Sequence, residues 1–231
     1  MIGENIADIR RRVAEACLKA ERNPSDVTLV AISKTFPATA IEDAVIAGAS
    51  DIGENYVQEL LQKKEALSER LVRWHFVGHL QSNKVKYIAE WIHLIHSVDS
   101  VSVAREIDKG AQHAHRTIEV LIEVNTTGEQ TKYGLTPDTA IGFVKSLSDL
   151  EHVRIAGLMT IGPFLPDPEA SRPMFRTLRL LKEEISLLHQ SNVQMNHLSM
   201  GMTGDFEVAI EEGATLIRIG TAIFGKRVKR A

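Results

Sequence analysis

Short apolar, β-branched runs alternate with helix-patterned segments along this whole chain, and that alternation is the tightest constraint on its fold. The first run, VTLVAIS at 27–33, is almost continuously apolar, as strands are when a parallel sheet is covered on both faces. Further runs that read as strands fall at 51–54, 73–78, 92–97, 117–124, 153–159, 195–199 and 215–220. Helical segments separate them, at 38–48, 55–68, 81–90, 100–113, 137–148, 169–190 and 204–212. In the longest, Met174, Phe175, Leu178, Leu181, Ile185 and Leu188 mark one apolar stripe. Ahead of the first strand, Ile2, Ile6, Ile9, Val13 and Cys17 recur at helical spacing, which predicts a helix over 2–20 ended by NPS at 23–25.

Eight strands joined by helices imply parallel strands and right-handed crossovers. With 231 residues to build them, the chain has about the size of a (β/α)8 barrel, roughly 250 residues. An open doubly wound sheet is the rival, but it would place GxGxxG after strand one, and here that turn reads SKTFP. The expected fold is therefore one α/β domain over 1–231, a (β/α)8 barrel with an extra N-terminal helix. No run of about 20 apolar residues predicts a membrane span. Acidic Glu4 and Asp8 near the N-terminus argue against a signal peptide. A single cysteine, Cys17, leaves no intramolecular disulfide framework and points to a reducing compartment, the cytoplasm. On the apolar side of its helix it is expected to be buried and inert. The net charge of −3, with both signs interspersed, gives no nucleic-acid surface, and the basic end (Lys226, Arg227, Lys229, Arg230) reads as a solvated tail.

A barrel of this kind builds its site at the carboxyl ends of the strands and often holds phosphate on the loops after strands seven and eight. SMGMTGD at 199–205 follows strand seven, and GT at 220–221 follows strand eight. Their glycines allow close backbone approach and their hydroxyls can donate to an anion. Lys34 ends strand one on the same rim. A partly desolvated lysine there can lose its proton and form a Schiff base with a carbonyl. A Schiff-base lysine facing a phosphate cradle describes pyridoxal 5′-phosphate (PLP). Arg218, inside strand eight, is expected to point to the mouth, unless it pairs with an acid such as Glu123. A guanidinium at the pyridine nitrogen would discourage ring protonation and weaken the electron sink that most PLP enzymes use.

The chain resembles the pyridoxal phosphate homeostasis protein family. The likeness is carried by AISKT (31–35), GENYVQE (53–59), WHFVGHLQSNK (74–84), GLMTI (157–161), HLSMGMTGD (197–205) and IRIGTAIFG (217–225), in that order over nearly the whole length. The resemblance implies a fold-type III barrel similar to the amino-terminal domain of alanine racemase, with Lys34 as the Schiff-base lysine. It implies phosphate contacts from Ser199, Gly201, Met202, Thr203, Gly220 and Thr221, Arg218 near the pyridine nitrogen, and Asn55 near the site. It further implies a protein that holds and buffers PLP in vitamin B6 and amino-acid balance, with PLP-dependent apoenzymes as recipients, and without established turnover. In the racemase the second acid/base comes from a carboxyl-terminal β-domain and a partner subunit. Here the sequence stops at Ala231, about ten residues past strand eight, so that domain is expected to be missing and the chain to be a monomer.

Two other functions fit parts of the pattern. A weak PLP-dependent racemase or lyase would need an acid/base opposite Lys34, for which Tyr56 and Tyr133 are the candidates. A cofactor-free Schiff-base aldolase would act on a phosphorylated sugar. Nine histidines invite a metal reading, but no HExxH or cysteine-based spacing supports one. His93 and His96, three apart, should face opposite sides of a strand, so no metal site is expected. His79 and residues 81–84 belong to the loop after strand three, which either lines the mouth or is a solvated helix cap.

Overall fold

In the computed structural model, which describes residues 1–129, 131–163 and 165–226, eight parallel strands close into a barrel in sequence order. They are β1 (Thr28–Ile32), β2 (Asp51–Glu54), β3 (Arg73–Phe76), β4 (Leu94–Val98), β5 (Ile118–Glu123), β6 (Val153–Met159), β7 (Val193–Ser199) and β8 (Leu216–Ile219). Closure is made by β1 against β8, with Thr28 beside Leu216 and Ala31 beside Ile219. Around the strands run α2 (Ala38–Ile46), α3 (Val57–Ala66), α4 (Val101–His113), α5 (Pro137–Ser146), α6 (Arg172–Ser186), α7 (Phe206–Glu211) and the one-turn α8 (Thr221–Phe224).

The added helix α1 (Ile2–Lys19) buries Ile6, Ile9, Val13, Ala16 and Cys17, the stripe its spacing predicted. Its polar edge ties down neighbouring helix ends. Arg10 donates to the Gly48 carbonyl after α2 at 2.8 Å, and Asn5 donates to the carbonyl of Ile223 in α8 at 2.8 Å. Cys17 is a free, buried thiol. Burial pushes it above its ordinary value, so it stays protonated. No helix among the described residues is long and apolar enough to cross a membrane. Lys226 is exposed; Arg227, Lys229 and Arg230 lie outside the described residues.

Alternation along each strand divides the core in two. Ala31, Phe76, Ile95, Val120 and Ile122 face outward onto Ile41, Leu60, Ile107 and Phe175 of the helices. Val30, Ile32, Val77, Leu94, Leu121, Ala156, Met159 and Leu216 form a separate inner cluster. Gly53 belongs to that inner face, where a Cβ would meet Ile32 and Val30.

Two expectations about elements are corrected. The connection after β3 is not an α-helix over 81–90 but a 3-10 helix at Ser82–Tyr87. Ser82 and Asn83 are weak helix formers whose side chains compete for backbone groups, and a six-residue piece can close with i→i+3 bonds. The long helix starts at Arg172, because Pro168–Ser171 form a 3-10 turn capped by Asp167.

Candidate functional site

Lys34 leaves β1 on a backbone held at both neighbours. The Ser33 N–H donates to the Gly53 carbonyl at 3.0 Å, and the Ser33 hydroxyl donates to the Glu54 carboxylate. Lys63, buried in α3, reaches the Ser33 carbonyl at 2.9 Å and ion-pairs with Glu54. On the other side, the Thr35 N–H donates to Glu59 at 2.9 Å, which also meets Lys63 at 3.3 Å. Thr35 sits at φ +71°, an unusual place for a β-branched residue that only such tethering sustains. Burial pushes the Glu54 carboxyl up, against the pull of Lys63 and Ser33.

Asn55 follows β2. A Cβ on Gly78 would collide with the Asn55 backbone carbonyl, so the glycine lets β3 press against it. The Asn55 Oδ1 atom is buried with no hydrogen-bond partner among the described residues.

The loop after β7 turns at Gly201, at φ +91°, where a Cβ would lie 2.6 Å from that of Ala209. Only glycine fits both the dihedral and the space. The loop is fixed by the Met202 N–H donating to Asp205 at 2.7 Å and by the Arg218 N–H donating to the Gly201 carbonyl at 3.0 Å. Thr203 accepts from the Ala222 N–H at 3.4 Å, which brings the β7 and β8 loops side by side. Arg218 is buried. It donates to the Ser199 hydroxyl at 2.6 Å and to the Thr160 carbonyl at 2.7 Å, and Glu123 acts on it only through space. Burial lowers the guanidinium to about 10, so it remains charged at neutral pH.

These elements meet in one cleft of about 310 Å³ at the carboxyl ends of the strands. Lys34, Asn55, Met202, Thr203, Arg218, Gly220 and Thr221 line it, with Ile32, Val77, Ile161 and Gly162.

The alanine racemase N-terminal domain family model matches residues 5–228. A pyridoxal phosphate homeostasis protein of Aquifex aeolicus is 46% identical over 224 residues, covering 97% of each chain. The solved structure of PipY from Synechococcus elongatus with PLP bound is 34% identical, with a TM-score of 0.83, and covers 97% of this chain and 100% of that one. The chain belongs to the pyridoxal phosphate homeostasis protein family. Alanine racemase of Clostridium difficile, 11% identical with a TM-score of 0.70 over 95% of this chain and 57% of its own, shares the fold alone.

Of the nine residues singled out in the sequence of this family member, seven line the cleft. Gly201 shapes the loop behind it. Ser199 is fully buried, its hydroxyl shared between Arg218 and His96. Tyr56 and Tyr133 are 58% and 61% exposed, and neither is among the lining residues. Tyr133 stacks on His79 with ring centroids 4.1 Å apart, which places the loop after β3 beside the mouth.

Sequence reasoning passed over Glu123 as a site residue. It lines a smaller cavity of about 200 Å³ with Tyr133 and Ile161, next to the cleft. Burial and the nearby Asp99 raise its carboxyl to about 7, against the pull of Arg218. The opposite-face reading of His93 and His96 is also incomplete. Their rings approach the same neighbour, His75, at centroid distances of 5.2 and 5.1 Å. Asp51, His75 and His93 each bring a ligand atom within 4.8 Å of the others. Arg73, however, already holds both Asp51 oxygens, at 2.8 and 2.6 Å, so the cation beside that carboxylate is a guanidinium.

Proposed function

We propose that this protein holds PLP in the cleft at the strand ends and releases it to PLP-dependent apoenzymes, as a reservoir or carrier. One observation carries the reading: a lysine, an arginine and two glycine-and-hydroxyl loops converge on a single cleft. The donor set suits the cofactor. Asn55 Oδ1 has no hydrogen-bond partner among the described residues, a cost of about 1–3 kcal/mol that a bound donor would relieve. A Cβ on Gly220 would press against the Ile32 carbonyl at 3.2 Å, so glycine lets the β8 loop pack closely on the end of β1 beside the cleft.

When bound, PLP supplies an aldehyde that condenses reversibly with a primary amine. Lys34 provides that amine on a tethered backbone. Thr203, Thr221 and the backbone of Met202 and Gly220 hold the phosphate. Arg218, a charged donor lining the cleft, would face the ring nitrogen and disfavour a proton there. Ile32 and Val77 exclude water from one wall. That arrangement stores the cofactor without strengthening its electron sink. The free buried cysteine suits a reducing cytoplasm.

The experiment loads the protein with PLP, removes free cofactor, and mixes it with a PLP-requiring apoenzyme. Activity of the recipient should appear in proportion to the loaded protein. Alanine added to the loaded protein alone should keep its configuration. Steady racemisation of alanine, or no recovery in the recipient, would contradict the reading.

A further inference from the structure

Five inward-facing side chains join the two ends of the barrel through its interior. Asp51 opens β2 at the amino-terminal end, and His75 and His96 sit within β3 and β4. Ser199 ends β7, and Arg218 lies in β8 at the cleft. All five are buried. Each touches the next: His75 Nε2 to Asp51 at 3.0 Å, His75 Nδ1 to His96 Nε2 at 2.9 Å, His96 Nδ1 to Ser199 Oγ at 2.9 Å, and Arg218 to Ser199 Oγ at 2.6 Å.

The hydrogens in this chain have one consistent assignment. Asp51 accepts from Arg73, Ser50 and His75. Those bonds outweigh burial and hold its carboxyl well below the usual range, so its oxygens only accept. His75 must present Nε2–H to it, since the other neutral tautomer would aim a lone pair at an anion. Burial keeps both histidines neutral at pH 7. His75 Nδ1 is then an acceptor, and His96 must supply Nε2–H. His96 Nδ1 in turn accepts the one hydroxyl hydrogen of Ser199, whose lone pair receives Arg218. Every link has a single donor, and all point from the cleft towards Asp51.

We propose that Asp51, His75, His96 and Ser199 are positioning residues for Arg218: a one-way hydrogen-bond relay in which both histidines are locked as Nε2–H tautomers and a carboxylate at the amino-terminal end of the barrel orients the guanidinium at the cleft. Such chains polarise link by link. Ser199 acts through Arg218, because its only hydrogen is committed to His96. The effect on the cofactor rests on the reading of the cleft proposed above; the assignment of hydrogens does not.

The test begins with ¹⁵N-histidine-labelled apoprotein and multiple-bond ¹H–¹⁵N NMR at pH 7. The His75 and His96 signals are identified by their loss in His75→Gln and His96→Gln, and Ser199→Ala should perturb chiefly His96 Nδ1. Both rings should show bare Nδ1 and protonated Nε2. A proton on Nδ1 of either ring would overturn the relay, and this arm needs no cofactor. The second arm measures PLP affinity and the bound-cofactor absorption band. Ser199→Ala and the isosteric Asp51→Asn should each weaken binding about fivefold, a modest coupling between sites, and move the band, while Ser199→Thr restores both. Wild-type affinity and band in Ser199→Ala and Asp51→Asn would overturn the positioning role. A wild type that binds no PLP would sink the cleft reading and leave the tautomers to decide the relay.

Discussion

Lys34 depends on residues that the cofactor need not touch. Lys63 and Glu54 are an almost fully buried ion pair, with side-chain exposures of 8% and 0%, that holds Ser33 from below. Removing one partner of such a pair costs about 3–5 kcal/mol, so Lys63→Met should lower unfolding stability in urea by an amount near that range. It should also weaken PLP binding, because the strand end that aims Lys34 is loosened. Glu123 gives a pH signature of its own. Its folded value of about 7 lies above its ordinary 4.5, so the folded protein binds more protons than the unfolded chain between those values. That contribution is fully present below about pH 4.5 and is lost as pH rises through 7. Glu123→Gln should flatten the fall in thermal stability over that window and leave the variant more stable than wild type at pH 8. An unchanged slope would contradict the burial argument.

At the scale of elements, the loop after β7 has little room for change. Gly201→Ala must take φ +91° and meet Ala209. The strain is about 1–3 kcal/mol, and calorimetry should record the loss together with weaker PLP binding. The strands and most helices were legible because apolar runs and helical stripes are local. Residues 51–54 and 153–159 are strands to the residue. What was not legible depends on tertiary context. The α-helical pattern at 81–90 gave way to a 3-10 turn, since weak helix formers take the tighter turn where packing of Val85 and Ile88 allows it.

For the molecule as a whole, closure of the barrel decides what sequence can reveal. The rim residues Lys34, Thr203, Arg218 and Thr221 could be read in advance, because strand ends in a (β/α)8 barrel share one face. The interior could not. His96 and Ser199 are 103 residues apart, and nothing in their local spacing says that a histidine two positions from Leu94 will meet a serine at the end of β7. The parity that puts His75 with Val77 and His96 with Leu94 on the inner face is visible only once the sheet is closed. The proposed function has PLP carried on Lys34 in the cleft. Its most direct measurement is the visible spectrum of the purified protein with added PLP, beside Lys34→Ala, followed by borohydride reduction and peptide mass analysis. The wild type should show a bound-cofactor band and a reduced pyridoxyl group on the peptide containing Lys34, and the variant neither. A wild type that takes up no PLP, or a label fixed on a different lysine, would contradict the account.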